Sequence, residues 1–91
     1  MLLYSMAKKE EPASLKTLDA TKEMQQLGAR IRAIRKLKGY TSFEKFANEH
    51  DIHRTQWGKY ETGEDMYVST LMKVIKVLDI SIEEFFSEGF E

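Results

Sequence analysis

The sequence predicts an all-α fold, five helices behind an N-terminal arm, on three observations. Apolar residues recur at the three- and four-residue spacing of a helix face in several consecutive segments. Gly, Ser and Thr fall where those segments stop and start. No stretch keeps the strict alternation of a strand for long. With 91 residues the helices share one core, since domains run roughly 50 to 200 residues.

Residues 1–20 are expected to form a flexible arm, because the stretch 8–18 is polar, carries the one Pro of the chain and lacks sustained periodicity. A domain of residues 21–88 follows. Its first helix begins near Ala20, with Met24, Leu27, Ile31, Ile34 and, less regularly, Leu37 on one face, and stops at Gly39. Thr41 or Ser42 caps the second helix. Thr41 and Glu44 have capping-box spacing, and Phe43, Phe46, Ala47 and His50 form the inner stripe. That stripe breaks at Asp51 and Ile52. A third helix runs from near His53 to Gly63, burying Ile52, Trp57 and Tyr60 and leaving Arg54, Thr55, Gln56 and Lys59 outside. A fourth opens at Ser69, with Leu71, Val74, Ile75 and Leu78 at helical spacing. A fifth opens at Ser81, again at capping-box distance from Glu84, and carries Phe85, Phe86 and Phe90.

The formal net charge of −1 is unevenly placed. The first 21 residues balance; residues 22–63 carry nine Lys and Arg against five Asp and Glu, a net of +4; residues 64–91 carry two against seven, a net of −5. Such a chain can turn one face to a polyanion and another to a partner or to solvent. The absence of Cys excludes disulfides and thiolate metal sites, and no apolar run nears the roughly 18 residues of a membrane span. A cytoplasmic location is expected. His50, Asp51 and His53 lack a third ligand at fixed spacing, so neither a metal nor a cofactor is expected. No nucleophile stands with a base and an orienting group, which argues against an enzyme.

A short helix, a tight turn and a second short helix with a polar outer face make a helix-turn-helix arrangement. The segments LGARIRAIR (27–35), Phe46 with Ala47, IHRTQWGKYETG (52–63), 71–78 and 80–86 resemble the lambda-repressor-like, Cro-type (XRE) family of DNA-binding domains. The resemblance covers residues 27–86. It implies that the helix at about 53–62 lies in the major groove, with His53, Arg54, Thr55, Gln56 and Lys59 as DNA contacts and Arg54 leading. Arg suits that role because it can donate two parallel hydrogen bonds to guanine. The resemblance also implies an internal ion pair between Arg35 and Glu61; Thr41 and Ser42 are candidate phosphate contacts in their own right, since a hydroxyl or backbone N–H at a helix N-terminus can bind phosphate.

The chain departs from the family at four points. The turn before the second helix is one residue longer, and Ser42 or Phe43 stands where a phosphate-binding Gln is common. Glu64 and Asp65 replace basic residues, and Gly58 sits mid-helix, where Gly costs about 1 kcal/mol relative to Ala. The resemblance implies a transcription regulator that binds double-stranded DNA at an inverted repeat as a dimer, paired through the C-terminal helix. One variant is an antitoxin whose arm engages a protein partner. The alternative is a protein-interaction module on the same fold, motivated by the acidic tail.

Overall fold

The computed structural model describes residues 11–91, and every regular element among them is a helix: α1 (Ala13–Lys16), α2 (Thr21–Leu37), α3 (Phe43–Glu49), α4 (Arg54–Glu61), α5 (Val68–Val77) and α6 (Ile82–Phe85). The first of these is a single turn within the expected N-terminal arm. The Pro12 carbonyl accepts the N–H groups of Leu15 and Lys16, closing a single turn that buries no residue. Residues 1–10 of the expected arm lie outside the described residues.

Before α2, Asp19 Oδ1 accepts the Thr21 N–H at 2.9 Å and the Thr21 hydroxyl at 2.6 Å. These hydrogen bonds hold the Asp19 carboxyl below the usual carboxylate range. Ile31 and Ile34 are buried, but Leu37 is exposed, contrary to its expected place on the inner face. At about 100° per residue it has turned roughly 120° away from Ile31. Gly39, with φ +98°, ends the helix in the left-handed conformation that glycine adopts without steric cost.

Ser42, not Thr41, caps α3. Its Oγ accepts the Lys45 N–H at 3.2 Å, because the helix begins at Phe43 and Lys45 therefore occupies the third helical position. The chain turns into α4 through Asp51, whose φ of +58° is one that Asp tolerates better than most side chains. His53 caps α4, its Nδ1 facing the Thr55 N–H at 3.3 Å. Helix α5 opens one residue before the expected Ser69, and Ser81 caps α6 by accepting the Glu84 N–H at 3.0 Å.

The core lies where the inner faces of α2 to α6 meet. Trp57, Phe46 and Phe85 are its largest members. The rings of Phe46 and Trp57 are 4.8 Å apart, and Tyr40 meets Phe46 edge-on at 4.9 Å. Two glycines set the approach of α2 to the end of α4. A Cβ on Gly28 would stand 2.6 Å from the Glu61 carbonyl oxygen, and one on Gly63 would stand 2.8 Å from that of Met24. Arg30 closes the far end of the core: nearly buried, it donates from Nε to the Phe85 carbonyl at 2.7 Å and from Nη2 to that of Glu84 at 2.8 Å. Among the described residues no helix is long and apolar enough to cross a membrane.

Candidate nucleic-acid interface

Helix α4 buries one side chain, Trp57, and leaves Arg54, Thr55, Gln56 and Lys59 exposed. It is held by its inner side. The Glu61 carboxylate accepts from Arg35 Nε at 2.6 Å, Arg35 Nη2 at 3.0 Å and Trp57 Nε1 at 2.6 Å. Arg35 Nη1 reaches the Tyr40 carbonyl at 2.6 Å. One nearly buried guanidinium therefore joins α2, the loop after it and the last turn of α4, with the charge-assisted bonds that a buried pair requires.

Between α2, the start of α3 and the outer side of α4 runs an open groove of about 780 Å³. Five of the seven residues expected to contact DNA line it: Thr41, Ser42, Arg54, Thr55 and Lys59. The other two are placed elsewhere. His53 lines a neighbouring hollow of about 550 Å³, which also includes Arg54. Gln56 lines a third, of about 350 Å³, with Tyr60 and Met66 on the other side of α4. A rotation of 200° between Arg54 and Gln56 accounts for that separation at about 100° per residue.

Ser42 does not present a free hydroxyl to the groove. Its Oγ donates to Glu44 Oε1 at 3.0 Å while accepting the Lys45 N–H. Glu44 and Glu64 both line the groove, so carboxylates flank the cations of Arg54 and Lys59. Two further cations, Arg32 and Lys36 of α2, line it as well and were not singled out from the sequence. Their signal was available: they sit four residues apart on the exposed face of an amphipathic helix, where both share one stripe.

His50 and His53 do not combine. His50 Nδ1 lies 2.9 Å from the Phe46 carbonyl and its ring lies against that of Phe46, whereas His53 caps α4. Among the described residues no group of three or more His, Cys, Asp or Glu converges on a point where a metal could sit. Of the C-terminal aromatics, which could either close the core or reach a partner, Phe85 is fully buried and Phe90 is partly buried against the core. Of the three C-terminal phenylalanines, Phe86 alone stays substantially exposed; Ile82, one turn before it, is exposed as well. Comparison of the chain with protein-family models, with curated proteins and with solved structures finds no match.

Proposed function

We propose that this chain is a cytoplasmic, sequence-specific regulator that binds double-stranded DNA with the lambda-repressor-like arrangement, α3 and α4 forming its helix-turn-helix. Helix α4 enters the major groove, Arg54 and Thr55 address base edges from its first turn, and Lys59 follows one turn later. The supporting observation is the groove that brings Thr41, Arg54, Thr55 and Lys59 to one face beside an α4 whose outer side is wholly polar. Thr41 and the start of α3 supply contacts to the DNA backbone. Two copies pair through Ile82 of α6 and Phe86 just after it and read an inverted repeat, since one short helix spans only a few base pairs.

Selection of bound sequences from a random duplex pool, wild type against Arg54→Ala at moderate salt, tests the proposal. An enriched inverted repeat, relaxed at one position in each half-site by Arg54→Ala, is the expected result. The cost at that position is about 1–3 kcal/mol. No enrichment from folded protein at low salt overturns it.

One observation favours a second reading, a protein-interaction module. Tyr67 and Val68 are 71% and 74% exposed at the start of α5, next to the acidic Glu64 and Asp65. On that reading affinity for a partner hardly responds to salt, whereas phosphate contacts make it fall steeply.

A further inference from the structure

We infer that Arg32 and Lys36 form a second contact of the same interface, a clamp on the phosphate backbone of one DNA strand that carries no base information. This rests on the DNA-binding proposal above. The two residues lie four apart on α2, hence on one stripe and about 6 Å apart along its axis, a reach of one to two phosphate steps along a strand. Both are exposed, and among the described residues neither is held in an ion pair. Their neighbours Arg30 and Arg35 are nearly buried, with guanidinium groups committed to carbonyls and carboxylates. Along α2, then, the cations divide between buried, engaged ones and exposed, unengaged ones.

Position points to the ligand. Arg32 and Lys36 stand on the wall shared by the 780 Å³ groove and a shallower one of about 310 Å³, lined also by Ala29 and Ala33. Arg54 and Lys59 line the first groove from the α4 side, so a polyanion seated there meets cations from two helices. The short alanine side chains let a strand lie close to α2. A role in offsetting the helix macrodipole covers Lys36, in the last turn, but not Arg32, five residues before the helix ends, because that effect fades within one turn.

The test is a salt titration of wild type and the Arg32→Gln, Lys36→Gln double variant on a selected duplex and on an unrelated duplex of equal length. The expected slope of log affinity against log salt is shallower by about 1.8, two contacts at roughly 0.9 each. Affinity falls by the same factor on both duplexes, and Arg32→Lys with Lys36→Arg restores the slope. A wild-type slope and affinity in the double variant overturn the clamp while leaving reading by α4 intact. Loss on the selected duplex alone also overturns it, since that would make the pair base-reading. A wild type without salt-dependent duplex binding removes the DNA-binding proposal itself, and the clamp with it.

Discussion

Arg35 and Glu61 meet through two hydrogen bonds, 2.6 and 3.0 Å, between α2 and the last turn of α4, with both side chains almost entirely buried. Glu61 also accepts the indole N–H of Trp57. Removing the carboxylate thus leaves a buried guanidinium and a buried donor without their partner. Glu61→Ala is expected to cost about 3–5 kcal/mol, a large share of the 5–15 kcal/mol typical of a domain. Arg35→Met together with Glu61→Leu should cost less than the two single changes summed. Urea unfolding of the four proteins measures the coupling, and additive losses would show that the pair is not a unit.

The glycines of α2 and α4 should respond in opposite directions. Gly28→Ala places a methyl 2.6 Å from the Glu61 carbonyl oxygen and 2.7 Å from the Gly63 nitrogen, backbone atoms that can yield only by separating the helices. A loss of about 1–3 kcal/mol is expected. Gly58→Ala meets the Phe43 ring at 3.4 Å, the edge of ordinary contact, and removes the penalty of a mid-helix glycine. A gain of up to about 1 kcal/mol is expected, or roughly 4–8 °C in thermal midpoint. Thermal unfolding of both variants decides the matter.

Glu64 lines the groove on the side of α4 and stands in no ion pair among the described residues. On the DNA-binding proposal its carboxylate opposes the incoming phosphates, so Glu64→Gln should tighten duplex binding by roughly two- to fivefold at low salt, about 1 kcal/mol or less for charges in water-like surroundings. The gain should shrink as salt rises. An unchanged affinity at every salt concentration would place the bound duplex away from this rim.

The Asp19 carboxyl is held below its ordinary range by the hydroxyl and N–H of Thr21. A lowered value in the folded state means that the contribution is present above the ordinary carboxylate range and is lost as pH falls through the folded-state value. Amide exchange in the first turn of α2 should therefore accelerate as pH falls below about 4, after correction for the intrinsic pH dependence of exchange. Asp19→Asn should weaken that acid-dependent fraying, leaving the core amides of α2 unaffected.

Periodicity and punctuation carried most of the helix plan. The stripe through Ile31 and Ile34, Gly39 as a stop, Phe46 and Ala47 facing inward, and Trp57 in the core are local properties, fixed by 3.6 residues per turn and by which residues accept a cap or a left-handed turn. The same reasoning left the cap of α3 open between Thr41 and Ser42, because both offer the same hydroxyl and only the observed start at Phe43 separates them. It also missed the turn at Ala13–Lys16, which buries nothing and leaves no apolar pattern.

By itself, then, the sequence determined an all-α fold with one core and a polar outer face on the helix that opens at His53. The tertiary structure decided what each charge does. Arg30, Arg32, Arg35 and Lys36 lie within seven positions of one another, yet two are buried on carbonyls and carboxylates from residues 5 to 58 positions away and two remain exposed. No local pattern encodes that division, because a cation is buried only where distant acceptors converge on it, and convergence belongs to the packing of helices. For the same reason Gln56 and Arg54, two residues apart, line different hollows, and Gly28 matters through a backbone contact with Glu61, 33 positions away.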